Sequence, residues 1–311
     1  MTKVDPRNRD ILVYVNGELK SRAEARVSVF DSVVQGGDAV WEGLRVYKGR
    51  IAAFSPHLTR LQNSAKALAF TAVPSSQDIR NAVFETLRAN DMRDGAHIRL
   101  TLTRGEKITS GMNPKLNQSG CSLIVLAEWK PPVYSDEGIR VITASTRRNT
   151  PSCLDSKIHH NNLLNNILAS IEANVAGVDS AVMLDLNGFV SEANDTNIFM
   201  VRNGTVCTPH ADACLPGLTR QMVLDICREQ DIPAIERNLS LTELYTADEA
   251  FTSGTMGELT PVLEADGRTI GNGIPGELTR RLQALHREVA WRDGEVFRTT
   301  VIAAERPREQ P

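Results

Sequence analysis

Lysine is scarce in this chain. Of its 35 basic residues only eight are lysines, and after Lys130 a single one, Lys157, occurs in the remaining 181 residues. Arginine keeps its proton in a protein, whereas a partly buried lysine can lose it, and the neutral amine is what attacks an aldehyde. On counts alone, a surface lysine never replaced by arginine is the plainer explanation. The neighbours change the balance. His159-His160-Asn161-Asn162 and a helix follow Lys157, and Glu192 stands in Val190-Ser191-Glu192-Ala193 about 35 residues on. A cofactor such as pyridoxal 5'-phosphate (PLP) needs an amine for its aldehyde, an anion site for its phosphate and a carboxylate for its pyridine nitrogen. Lys157 is a candidate for the first and Glu192 for the third, although alone Glu192 beside Asn194 and Asp195 would be read as a solvated charge.

Two segments have the character of an anion site. Pro216-Gly217-Leu218-Thr219 opens a helix, whose first amides lack partners and favour anions. Ser253-Gly254-Thr255-Met256-Gly257 is a turn able to aim hydroxyl and amide donors. Arg60, in Pro56-His57-Leu58-Thr59-Arg60-Leu61, could add a bidentate phosphate contact. Each is ordinary in isolation. His159 and His160 are adjacent and should point different ways, so they suit support of the lysine loop better than a shared metal, and no metal site is expected. Trp41 is as readily a core residue as a substrate-facing one.

The elements that must position these residues read as α+β. Ile11 to Val15 alternates as a strand into an Asn16-Gly17 turn, followed by a β-rich stretch through Val27-Ser28-Val29-Phe30 and Leu44 to Ile51. Helices are expected over Pro56 to Ala69 and Ser76 to Asn90, then strands over His97 to Thr103 and Ser122 to Glu128. Trp129-Lys130-Pro131-Pro132 breaks the pattern, which predicts a domain over 1–130, a linker over 131–138 and a second domain over 139–311. In the second part, Asn162 to Val175 and Thr219 to Gln230 read as helices. Asn187-Gly188 and Asn203-Gly204 turn two hairpins, and Phe251 to Val262 is a strand broken by glycine. The last ten or so residues, rich in Arg, Glu and Pro, are expected to fray.

Composition narrows the partners. A net charge of -3 with both signs interspersed gives no basic face for nucleic acid or an anionic membrane. Five cysteines without a C-x-x-C spacing suggest neither a disulfide framework nor zinc, and the N-terminus has no apolar signal segment. These features predict a soluble, cytoplasmic protein acting on small molecules.

Taken in order, seven segments resemble the class IV (fold-type IV) PLP-dependent aminotransferases. They are Val40-Trp41-Glu42-Gly43-Leu44-Arg45-Val46-Tyr47, His57 to Leu61, Ser156-Lys157, Asn162 to Ala169, Ser191 to Phe199, Leu215 to Arg220, and Ser253 to Val262. The resemblance implies a small α+β N-terminal domain, a larger pseudo-barrel C-terminal domain, a cofactor in the cleft between them and a homodimer. It implies Lys157 as the Schiff-base lysine, Glu192 as the pyridine-nitrogen partner, and Arg60, Leu218, Thr219 and Thr255 as the phosphate site. It places Met256-Gly257 at the substrate carboxylate, with Trp41, His97 and Arg99 beside the substrate.

Substrate hand is where the chain departs from the best-known patterns. Branched-chain enzymes carry tyrosine in an Asn-Tyr-Leu run, and Leu163 stands at the corresponding place here. Arg99 matches a branched-chain arginine, with His97 in place of tyrosine. Over its length the chain looks most like plant-type D-amino acid aminotransferases, through Gln35-Gly36-Gly37-Asp38 and His159-His160-Asn161-Asn162. The expectation is therefore D-amino acid transamination with pyruvate or 2-oxoglutarate; an L-branched-chain transaminase and an aminodeoxychorismate lyase are the alternatives.

Overall fold

A computed structural model describes residues 4–297. Asn16 and Gly17, both at positive φ (50° and 93°), turn the chain between β1 (Leu12–Val15) and β2 (Glu18–Ser21). Val27-Ser28-Val29-Phe30, expected within a β-rich stretch, is not a strand. Strand-forming side chains cannot make a strand without an edge to pair with; here the Asp31 amide turns back onto Ser28 O, and Asp31 caps the short α1 (Ser32–Gly36).

β3 (Ala39–Tyr47) and β4 (Arg50–Ile51) follow, then α2 (Phe54–Ala67) and α3 (Ser76–Ala89), the latter opened by a Ser75/Asp78 capping box. β5 (Ala96–Thr103) and β6 (Ser122–Trp129) complete the first sheet. Alternation along β3 sends Val40, Leu44 and Val46 into a core with Leu58 and Leu61 of α2. Trp41, Gly43, Arg45 and Tyr47 therefore lie on the opposite face.

The second half builds a larger sheet. β7 (Ile139–Thr143) leads through a long loop to α4 (Leu164–Ala176), then β8 (Ser180–Leu184), β9 (Val190–Ala193), β10 (Asn197–Arg202) and β11 (Thr205–Thr208). Next come α5 (Leu218–Glu229), β12 (Ala234–Glu236), α6 (Leu241–Tyr245), β13 (Glu249–Gly254), β14 (Glu258–Ala265) and β15 (Arg268–Thr269). The order is β12-β11-β10-β13-β14-β7-β8-β9, with β15 on β14, and β9 comes back against β10, so the sheet curls toward a barrel. One core fills its inside around Val141, Val182, Ile198 and Met200. Outside, Phe199 and Phe251 stack at 4.9 Å beneath α5 and α7 (Glu277–Arg292).

α7 is absent from the sequence-based expectations, although Leu278, Leu282, Leu285 and Val289 carry the helical spacing. After it, β16 (Glu295–Val296) pairs with β4, so the chain ends its described course in the first sheet, whose order is β16-β4-β3-β5-β6-β1-β2. The tail expected to fray lies beyond residue 297, outside the described residues, as does the end of the expected 139–311 domain. No helix among the described residues is long and apolar enough to cross a membrane.

Candidate active site

Glu192 sits on β9, a four-residue strand buried at every position because it lies inside the curl. Its Oε1 accepts from Arg148 Nε at 2.5 Å and from the Leu215 amide at 3.3 Å; its Oε2 accepts from Asn197 Nδ2 at 3.0 Å. A carboxylate has about four lone-pair positions, so these three bonds leave Oε2 able to accept one more. Burial raises the Glu192 carboxyl above its ordinary range, against the pull of the Arg148 guanidinium.

The start of α5 lines the same cleft. Gly217 caps the helix with no side-chain acceptor, leaving the first amides open. Glycine is required here by space: a Cβ would lie 2.0 Å from Asn197 Oδ1. Ser253 Oγ is buried without a hydrogen-bond partner. Arg60 Nη1 donates to Pro216 O at 3.3 Å. Arg60, Leu218, Thr219, Ser253 and Thr255 line one pocket of about 80 Å³ together with Glu192 and Trp41. An orphaned hydroxyl, open helix amides and a guanidinium converging on one space, with a carboxylate in the same lining, fit a phosphate-bearing pyridinium such as PLP.

An adjoining pocket of about 290 Å³ is lined by Trp41, Arg99, Arg148, His159, Leu163 and Glu192, among others. Trp41 meets a guanidinium and an aromatic ring: Arg99 Cζ lies 3.5 Å from its centroid, and the centroid of the tilted His159 ring lies 4.1 Å away. Trp41 Nε1 donates to His160 O at 3.1 Å. Arg99 Nη2 donates to Asn161 Oδ1 at 3.1 Å, and burial lowers its pKa to about 10 against the pull of Glu42. Met256 faces Gly43, where a Cβ would come within 2.4 Å of its Cε. His159 and His160 have different partners, and no group able to hold a metal ion is found among the described residues.

Three predicted residues stand apart from these linings. His97 is half-buried on β5, its pKa pushed down to about 3 by burial and by Lys130, Arg45 and Arg99. Gly257 backs onto Tyr134, whose neighbour Val133 donates its amide to Met256 O. Lys157 lies on the loop before α4, and its Nζ donates to Asp212 O at 3.0 Å with the side chain 42% exposed. Its neighbours Ser156, Ile158 and His159 line the cleft while the amine is turned outward. Turning the amine inward would give up that hydrogen bond and its 3.8 Å approach to Asp155 Oδ1.

Arg148 and Asn197, which hold Glu192, and Glu42, which holds Arg60, are site residues for which the sequence reading has no role. Arg147 and Arg148 are indistinguishable in sequence; Arg147 turns to the Ala144 and Ser145 carbonyls instead. A larger groove of about 440 Å³ between α2, α5 and α7 has an apolar and acidic lining, with Asp225, Glu229, Asp293 and Glu295. It shares Leu218 with the anion cradle but is not lined by Glu192, Arg60 or Thr219.

The family profile described as Amino-transferase class IV matches residues 39–265. The chain belongs to this family. It is 59% identical to branched-chain-amino-acid aminotransferase-like protein 2 of Arabidopsis thaliana over 91% of its own length, and it spans about half (51%) of that relative. Among solved structures it is similar to the branched-chain aminotransferase of Thermoproteus uzoniensis with norvaline, at TM-score 0.84 and 31% identity, covering 90% of this chain and 95% of that one. A second branched-chain aminotransferase, solved as a complex with N-(5'-phosphopyridoxyl)-L-glutamate, superposes at TM-score 0.85 and 32% identity over 93% of this chain and 96% of the other.

Proposed function

We propose that this chain is a PLP-dependent transaminase that moves an amino group between an amino acid and a 2-oxo acid such as pyruvate or 2-oxoglutarate. The observation that carries the reading is the single cleft joining the buried Glu192 carboxylate, with one open lone pair, to the Arg60, Leu218 and Thr219 anion cradle. Family membership and the phosphopyridoxyl compound in the second structural relative support it.

When bound, PLP supplies the electron sink that lets the Cα–H bond of an amino acid break. Glu192 would hold the proton on the ring nitrogen, since a carboxylate favours that charge. Arg60, Leu218, Thr219, Ser253 and Thr255 would hold the phosphate. Lys157, once turned from Asp212 O, would hold the cofactor and then move the Cα proton with its Nζ. Arg99, whose Nη2 is bonded to a neutral amide rather than a carboxylate, would take the substrate carboxylate together with the Met256-Gly257 turn.

For the substrate, L-branched-chain amino acids are the first reading, because Arg99 faces the cleft and the relatives' names agree. D-amino acids are the second, favoured by Leu163, which brings a side chain without a hydroxyl to the cleft wall. A homodimer is part of the proposal. Leu164, Ile167, Leu168, Ile171 and Val175 form one exposed apolar stripe along α4, the kind of face a second copy covers. Coupled assays with L-leucine, L-valine, D-alanine and D-glutamate against both oxo acids test the reading. Turnover of L-leucine is expected; turnover of D-amino acids alone would hand the site to the second reading. Release of 4-aminobenzoate from aminodeoxychorismate without an oxo acid would make it a lyase.

A further inference from the structure

Every second residue of β3 from Val40 to Val46 faces the helical layer, and three of the four are apolar. The fourth is Glu42, fully buried at 0% exposure. A carboxylate in that row stays charged only if it is fully paired. Its Oε1 accepts from Arg60 Nε at 2.9 Å and its Oε2 from Arg60 Nη2 at 2.7 Å, a two-point grip on the guanidinium plane. His57 Nδ1 closes on Oε2 at 2.6 Å, and His159 Nδ1 stands 3.2 Å from Oε1. Burial would raise this carboxyl, but His159 and Arg60 hold it well below the ordinary range.

The grip decides where Arg60 can point. A guanidinium has five N–H donors; two go to Glu42 and one to Pro216 O. The remaining two are left on the side chain's open edge, in the pocket shared with Leu218 and Thr219. His57 Nδ1, from α2, closes on the same carboxylate and limits its swing, and His159 of the lysine loop stands beside it.

We propose that Glu42 is a positioning residue for the phosphate end of the site, fixing Arg60 so that its free N–H groups face the start of α5. This rests on the PLP reading above. Glu42 touches neither cofactor nor substrate; it acts through Arg60.

Because only a ligand with a phosphate uses Arg60, the test compares PLP with pyridoxal, which lacks one, by equilibrium titration of the purified chain. Glu42→Gln offers the fork one acceptor instead of two. It should weaken PLP binding by about tenfold, the worth of one charge-assisted hydrogen bond. The Kd for pyridoxal should stay within about twofold, the scatter expected of an uncoupled site. Arg60→Lys, which keeps the charge and loses the fork, should show the same phosphate-selective loss and covers the case in which Glu42→Gln does not fold. Unchanged PLP affinity in either variant, or equal losses for PLP and pyridoxal, would overturn the proposal. In those outcomes the wild-type chain still binds PLP and the functional reading stands; a wild-type chain that bound neither aldehyde would overturn both.

Discussion

Arg148 Nε lies 2.5 Å from Glu192 Oε1, in an interior where neither side chain is more than 7% exposed. Burial alone drives that carboxyl toward protonation, and the guanidinium opposes it. Arg148→Leu removes the opposition and leaves a buried carboxyl without its counter-charge, which costs about 3–5 kcal/mol at pH values where it must ionise. The sign follows from linkage. A carboxyl whose folded pKa is raised favours the fold at low pH and loses that advantage as pH rises through the folded pKa. The variant should therefore lose more stability at pH 8 than at pH 5, read by urea unfolding at both. Equal losses would contradict the pairing.

Glu192→Gln keeps the shape of the side chain and removes its charge. PLP should still bind, because the anion cradle is untouched, while turnover falls by about a hundredfold or more. Absorbance titration and steady-state rates separate the two effects, and a fully active variant would remove Glu192 from its role.

Gly217→Ala places a methyl group 2.0 Å from Asn197 Oδ1. Asn197 would have to move, although its Nδ2 bridges Glu192 Oε2 and Leu215 O. We expect a loss of about 1–3 kcal/mol in stability, the usual cost of overpacking, together with weaker PLP binding. Gly36→Ala, where a Cβ meets nothing within 4 Å, is the control; it should stay within about 0.5 kcal/mol of the wild type. Thermal unfolding of both variants with and without PLP decides it.

Much of this site is readable in the sequence, for reasons that differ by residue. Lys157 stands out by the scarcity of lysine, and Glu192 by its place on the return strand of an Asn-Gly hairpin. Glu42 was readable too, as a charge in an otherwise apolar alternating row. The choice of Arg148 over Arg147 was not, because it depends on how the chain leaves β7. Nor was the outward turn of Lys157, whose Nζ meets a carbonyl 55 residues away. Among the elements, α2, α3 and α5 follow their periodicity to within about two residues, the usual uncertainty of helix ends. Val27 to Phe30 shows the opposite case, where propensity had no partner strand to act on.

Three histidines should make the fold acid-sensitive. Burial pushes His97 to about 3 and His159 and His286 to about 4, so all three are neutral in the fold. As pH falls below the ordinary value near 6.5, the unfolded chain takes up protons that the folded chain does not, and stability drops until about pH 4. His286→Gln should flatten that decline by about 1.4 kcal/mol per pH unit, the contribution of one proton. Urea unfolding at pH 6.5, 5.5 and 4.5 measures the slope; an unchanged slope would show that His286 titrates alike in both states.

The most direct test of the central claim is borohydride reduction of the PLP-loaded chain, followed by peptide mapping. The account predicts pyridoxyl phosphate on Lys157 and no labelling of Lys157→Arg. A label on any other of the eight lysines, or undiminished labelling of that variant, would contradict it.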